Sequence, residues 1–168
     1  MKYRLPEIND KDLLQEYVNE HYENGENGIS ASLGLVSMEY SAWLEKIHKN
    51  ATVGDEEWGK SVLYLCFDAD KLIGLLSIRY ELPEALTIKI GDIGYGVRPS
   101  ERKKGYATTM LRYALSACKE KGMDKVILGC YKDNPASSAV IKKNGGVLIE
   151  ENDNYQEGKV SQYYLIDL

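Results

Sequence analysis

The sequence predicts a mixed α/β fold, and three observations carry that reading. Apolar strand-like runs alternate with helical segments along the chain. Two pairs of runs are joined by short turn-forming connections and read as hairpins, Ser61–Asp68 with Lys71–Tyr80 and Val147–Glu151 with Gln162–Ile166. Between them, Ala107, Met110, Leu111, Ala114, Leu115 and Cys118 recur at spacings of three, one, three, one and three, the apolar stripe of a helix packed on a sheet.

Each element follows from local chemistry. Residues 2–6 form a short first strand. Asn9-Asp10 offers a cap for a helix over Lys11–Tyr22, whose Leu13, Leu14, Tyr17 and Val18 share a side. Residues 23–28 are a loop by their Asn and Gly content, and residues 29–37 carry no clear pattern. A second helix over residues 41–47 has Ser37 or Ser41 as its cap, and a polar loop runs from Asn50 to Lys60. Ala69-Asp70 turns the first hairpin. Residues 81–87 read as irregular, and Ile88–Val97 as a strand ending at Arg98-Pro99. The striped helix starts after Gly105 and stops at Gly122. A strand over Asp124–Tyr131 follows, then Asn134-Pro135, a cap and first-turn proline for a helix from Ala136 to Lys143. Asn144-Gly145-Gly146 ends that helix, and residues 152–158 link the last two strands.

With 168 residues and no linker or repeat, the chain reads as one domain, 1–168, large enough for a real core. Its 43% hydrophobic and 28% charged content is ordinary for a soluble protein. A net charge of −5 argues against nucleic-acid binding driven by bulk charge and suits a cationic partner such as an amine. Cys66, Cys118 and Cys130 form no Cys-x-x-Cys pair, so neither a disulfide framework nor a zinc site is indicated, and buried reduced thiols are expected. The N-terminus lacks a signal-peptide block, and no apolar run approaches the ~20 residues of a membrane helix, so a cytoplasmic location is expected. His21 and His48 read as solvent-facing. Of the thirteen tyrosines, Tyr17, Tyr22, Tyr40, Tyr64 and Tyr80 read as packing residues, and adjacent Tyr163 and Tyr164 should face opposite sides with at most one in the core.

The chemistry concentrates in Gly94-Tyr95-Gly96-Val97-Arg98-Pro99-Ser100-Glu101-Arg102-Lys103-Lys104-Gly105-Tyr106-Ala107-Thr108. A strand, a basic turn and a helix start follow one another. The first amides of a helix lack internal partners and carry partial positive charge, and a glycine lets an anion approach closely. With Arg102, Lys103 and Lys104 this suits a pyrophosphate. The P-loop pattern is absent, and Gly94-x-Gly96 lies within the strand and runs into Pro99, which excludes the dinucleotide fingerprint. What remains is Arg102-Lys103-Lys104-Gly105-Tyr106-Ala107, an Arg/Gln-x-x-Gly-x-Gly/Ala turn preceded by Val97-Arg98-Pro99.

With that context the stretch resembles the acetyl-CoA motif of the GNAT N-acetyltransferase superfamily. The likeness covers residues 60–150 in element order, and Ile93-Gly94-Tyr95-Gly96-Val97, Asp133-Asn134 and Asn144-Gly145-Gly146 are similar to a branch of predicted acetyltransferases. It implies a central, mostly antiparallel sheet splayed at the cofactor site and flanked by helices. It implies acetyl-CoA as co-substrate, no metal, and a primary amine of a small molecule, peptide or protein as acceptor, with homodimers frequent. The strand at Tyr95, Gly96 and Val97 would pair with pantetheine. Gly105 and its neighbours Tyr106, Ala107 and Thr108 would hold the pyrophosphate with Arg102, Lys103 and Lys104. Asn134 and Ser138 would touch the cofactor from the far side of the splay.

The resemblance leaves the proton-transfer groups open. Asp92 and Glu81 are the nearest carboxylates for a base, and Tyr95 can act through a water. The tyrosine that the family often places seven residues after the asparagine is Ile141 here, and the usual Gly-Phe ending is Gly145-Gly146. Tyr106 and Tyr131 are substitutes by proximity. A sensor or interaction module that binds acyl-CoA without turnover is the alternative reading, and a protein binding another nucleotide at Gly105 is the third.

Overall fold

Among the described residues, 1–56 and 58–168, the strands of the computed structural model divide into two antiparallel sheets. Strands β1 (Lys2–Arg4), β2 (Ser61–Asp68), β3 (Lys71–Arg79) and β4 (Ile93–Val97) form the first sheet in that order. Strands β5 (Lys125–Tyr131), β6 (Val147–Asn152) and β7 (Ser161–Asp167) form the second, with β7 central. The loop expected over residues 50–60 includes Glu57, which lies outside the described residues.

Helices α1 (Lys11–Glu23) and α2 (Tyr40–Thr52) cover one face of the first sheet, packing Leu14, Tyr17, Trp43 and Ile47 on Leu63, Leu65 and Leu75. Helix α4 (Tyr106–Glu120) covers the other, where Met110, Leu111, Ala114 and Cys118 share a core with Ile73, Leu76 and Ile78, and helix α5 (Pro135–Lys143) packs on α4 and β5 and adds Ile141 to that core. A strand buried on both faces must be apolar throughout, which is why β3 reads Leu-Ile-Gly-Leu-Leu without alternation.

Several expectations are corrected. Residues 84–90 form a helix, α3 (Glu84–Ile90), so β4 begins at Ile93 and not at Ile88. Pro83 opens this helix, and Gly91, at φ 74°, closes it with its amide on Thr87 O. The apolar Ile88 and Ile90 mimic strand alternation on a half-buried turn. Helix α2 is capped by the Glu39 carboxylate, which accepts from the amides of Ser41 (2.7 Å) and Ala42 (3.4 Å), and neither Ser37 nor Ser41 is the cap. Asp10 precedes α1 without capping it; its carboxylate accepts from Glu7 N and pairs with Arg4. Tyr163 and Tyr164 are both buried, because β7 is a central strand covered on two faces, and their hydroxyls bond Lys89 O and Ser138.

The two sheets meet at one point. The Asp92 amide donates to Ile127 O (2.7 Å), and the Ile127 amide donates to an Asp92 carboxylate oxygen (2.7 Å). No ladder continues between β4 and β5, so the strands diverge from this joint. Burial raises the Asp92 carboxyl pKa, and the Ile127 amide opposes that rise. Asp92→Ala strands the Ile127 amide, a loss of about 1–3 kcal/mol that lowers Tm by roughly 2–12 °C. Asp92→Asn retains an acceptor oxygen and should recover most of that loss in thermal melts; equal losses for the two variants would contradict this account of the joint.

Candidate cofactor cleft and active site

The lips of the gap are defined by hydrogen-bond parity. Arg79 N donates to Asp92 O and Arg98 N to Ile73 O, so alternate residues Asp92, Gly94, Gly96 and Arg98 serve β3. Tyr95 and Val97 therefore turn their backbone groups toward the gap. On the other lip, Lys132 N donates to Val160 O and Leu168 N to Asp124 O, which assigns even-numbered residues of β5 to β7 and leaves Gly129 and Tyr131 facing the gap. Val97 O is taken by Arg102 Nε (2.9 Å) and Tyr131 O by Asn134 N (2.9 Å). The amides of Tyr95, Val97, Gly129 and Tyr131 and the carbonyls of Tyr95 and Gly129 form no intramolecular hydrogen bond among the described residues.

The gap opens toward the start of α4. Lys103 and Gly105 hold left-handed backbone conformations, φ 64° and 87°, and Gly105 occupies the cap position of the helix. The first internal bond is Thr109 N to Gly105 O (3.2 Å). The amides of residues 103–108 are without a partner among the described residues, and a Cβ on Gly105 would meet open space. Such a turn concentrates N–H groups on one point and favours an anion.

Arg102 is held by the fold itself. Its guanidinium turns back into the fold, contacting both carboxylate oxygens of Glu26 and donating from Nε to Val97 O. Lys104 pairs with Glu101 (2.9 Å), which also holds Lys71 (2.6 Å), while Lys103 is exposed and unpaired among the described residues. The Tyr106 hydroxyl donates to Asp68 (2.6 Å), and Ala107 and Thr108 are half-buried in the first turn of α4.

Helix α1 clasps this turn twice. Arg98, 3% exposed, pairs with Glu20 (2.6 Å) and Glu16 (2.8 Å), and Glu20 also accepts from Ser100 N (2.7 Å). Glu26 binds His21 Nδ1 (2.8 Å) and Asn24 as well as Arg102. The Arg102 guanidinium, with His21 and Asn24, holds the Glu26 carboxyl down at about 2. His21 is thus no surface residue: it is 2% exposed. The signal was available, since Leu14, Tyr17, Val18 and His21 continue one stripe at spacings of three, one and three. His48 is exposed, as expected, with Nε2 2.9 Å from Pro6 O.

Across the gap, Asn134 caps α5 with its side-chain oxygen on Ser137 N (3.0 Å), and its NH2 has no partner among the described residues. The Ser138 hydroxyl points inward and lies 2.7 Å from that of Tyr164. Ser137, one residue earlier, is the serine at the cleft, and its hydroxyl lies 2.9 Å from that of Tyr95. Tyr95 thereby spans the gap from β4 to α5. Its hydroxyl is pushed up to about 12 by burial. Of the carboxylates, Asp92 is committed to the joint, and Glu81 is exposed beside Lys60 (3.1 Å). The Tyr131 hydroxyl donates to Gln156 (3.0 Å). Ile141 is fully buried, and a Cβ on Gly146 would fall 2.4 Å from Ile141 Cγ2.

The family model for the acetyltransferase (GNAT) domain matches residues 3–147. The chain belongs to the GNAT acetyltransferase family. Solved structures share the fold at low identity. The ribosomal L7/L12 alpha-N-protein acetyltransferase RimL, in complex with coenzyme A disulfide-bonded to a cysteine, is 18% identical at TM-score 0.73, covering 99% of this chain and 93% of that one. YncA from Salmonella typhimurium, a putative acetyltransferase with acetyl-CoA, is 13% identical at TM-score 0.68, covering 99% and 93%. A chimera of the spermidine N-acetyltransferase SpeG from Vibrio cholerae is 20% identical at TM-score 0.64, covering 99% and 96%. No curated protein matches. No helix of the described residues is long and apolar enough to cross a membrane.

Because Glu26 has a depressed carboxyl in the folded chain, its ion pair stabilises fully above pH 4.5 and is lost as pH falls toward about 2. Thermal melts across that window should show Glu26→Gln losing less stability than the wild type. Parallel losses would mean that the clasp does not hold the turn.

Proposed function

We propose that the chain is an N-acetyltransferase that moves an acetyl group directly from acetyl-CoA to a primary amine. One observation carries this reading: a cleft edged by unpaired main-chain groups leads to the free amides of residues 103–108. Amide-bearing pantetheine suits the first feature and a diphosphate the second.

In this reading Tyr95, Val97, Gly129 and Tyr131 offer backbone groups to the pantetheine arm. The amides around Gly105, with Lys103 and Lys104 at the mouth, hold the pyrophosphate, and the Asn134 NH2 approaches from the far lip. Arg102 acts indirectly, fixing the turn through Glu26 and Val97 O. The Tyr95 amide polarises the thioester carbonyl as an oxyanion donor. Asp92 serves the joint and Glu81 the rim. The Tyr95 hydroxyl, kept protonated by burial, stands in for the phenol absent at Ile141 and protonates the departing thiolate. No covalent enzyme intermediate is required, because positioning two bound reactants supplies much of the acceleration.

The acceptor class is an amine. One structural relative is named for acetylating a protein N-terminus and another for acetylating spermidine, and a net charge of −5 suits a cationic acceptor here. A reducing cytoplasm, where the three cysteines stay free, completes the reading. The buried Ile141 supports a second reading, a CoA-binding sensor without turnover.

Acetyl-CoA at a hundredfold excess over its Kd should stabilise the chain by about 2.7 kcal/mol, raising Tm by roughly 5–11 °C. ATP and NAD should do much less. A β-branched residue is strained at the left-handed position of Gly105 and fills the space above it, so Gly105→Val should lose the shift; a surviving shift would place the phosphate elsewhere. Thiol release over polyamines, amino acids, aminoglycosides and peptides separates enzyme from sensor. In that assay Tyr95→Phe should lower kcat about 100-fold, and unchanged turnover would remove Tyr95 as the acid.

A further inference from the structure

We propose that Tyr17 and His21 form the route by which the acceptor amine sheds its proton: the Tyr17 hydroxyl receives it, and His21 Nε2, which does not bond to that hydroxyl directly, takes the proton that Tyr17 gives up through a bridging water. This rests on the acetyl-transfer reading of the cleft and names the base that reading leaves open.

Three observations converge. Among the described residues, the Tyr17 hydroxyl and His21 Nε2 are the buried side-chain polar atoms that lack a hydrogen-bond partner. Leaving such atoms unpaired costs stability, so two of them side by side mark a place where a further polar group belongs. The residues lie one turn apart on α1 with ring centroids 4.6 Å apart, at 0% and 2% exposure. The Tyr17 hydroxyl also reaches the cofactor strand, 3.3 Å from where a Cβ on Gly96 would sit. Gly96 lies between the two residues whose backbones face the gap, and having no side chain it leaves that face of the strand open to the phenol.

The histidine is set up as an acceptor. Its Nδ1 is 2.8 Å from the Glu26 carboxylate, which stays ionised between Arg102 and the ring. An ionised carboxylate only accepts, so Nδ1 carries the proton shared with Glu26, and Nε2 is the nitrogen left for the relay. The charged and titratable groups facing the pair are Glu26 from the loop after α1, Arg98 and Arg102 from the turn after β4, and the Cys66 thiol from β2. The segment 29–35 closes the site: Ser30 O lies 3.1 Å from the Gly96 Cβ position, and Ala31 and Leu33 hold φ of 62° and 48°. Backbone in that region is strained for residues other than glycine, and an amine would reach the pair only with this segment displaced.

The step balances. The amine nitrogen forms its bond to the acetyl carbon, and the C–S bond breaks with its electron pair leaving on sulfur. The nitrogen's proton passes to the Tyr17 oxygen as the Tyr17 proton passes through the bridging water to Nε2. The imidazolium, held by Glu26, later returns its proton to solvent, and the thiolate is protonated separately.

The test uses the full chain with acetyl-CoA and, as acceptors, spermidine and a serine-initiated peptide. His21→Asn keeps an amide donor near the Nδ1 position for Glu26 and removes Nε2; Tyr17→Phe removes only the hydroxyl. Each should lower kcat about 100-fold and flatten the acidic limb of the pH profile, while the acetyl-CoA melting shift stays at its wild-type value. Nitrogen NMR of His21 should show a proton on Nδ1 and a bare Nε2. Wild-type turnover with kcat in both variants within about threefold of it, or a proton resident on Nε2 with Nδ1 bare, overturns the relay alone. Absence of wild-type turnover with every amine overturns the reading beneath it.

Discussion

Two hydrogen bonds between Asp92 and Ile127 decide the character of this molecule. The sheets share an apolar core, but these two bonds set the point from which β4 and β5 part. With a full ladder in their place, β4 and β5 would satisfy each other and leave nothing for a ligand. A joint at one end only brings the strands together and then lets them part. Main-chain donors and acceptors in that wedge still require partners, and the demand for them is what makes the cleft a binding site.

A wedge is useful only if its edges hold still, and α1 supplies that constraint. Its carboxylates Glu16 and Glu20 grip the buried Arg98, and Glu26 just beyond the helix grips Arg102. The strand end, the tight turn and the start of α4 are thereby tied to one helix from the opposite face of the sheet. Part of the acidity that the composition reports is therefore paired with arginines of the same chain. The same helix carries Tyr17 and His21 to the underside of β4, so bracing and proton handling share one scaffold.

What the sequence made legible was local. Gly105 with the stripe behind it, the hairpin at Ala69-Asp70 and the Asn134-Pro135 cap each depend on neighbours within a turn or two, and each is found where those neighbours put it. What escaped depends on distant partners. Nothing near Arg102 indicates that it will meet Glu26, 76 residues away. Tyr163 and Tyr164 are both buried because β7 is covered on both faces, a matter of topology and not of alternation. Ser138 and Ser137 differ only by the angle of one helical step, too fine to settle from spacing. His21 was within reach, since it completes the α1 stripe, but a polar residue at a core position is easily assigned to water.

The close fit of Ile141 and Gly146 carries a historical consequence. With only 2.4 Å between Ile141 Cγ2 and the place of a Cβ on Gly146, the two positions cannot drift independently. A side chain at 146 collides with the isoleucine as it stands. Any lineage moving between this pairing and the family's commoner tyrosine and phenylalanine must pass through a poorly packed intermediate or change both residues together.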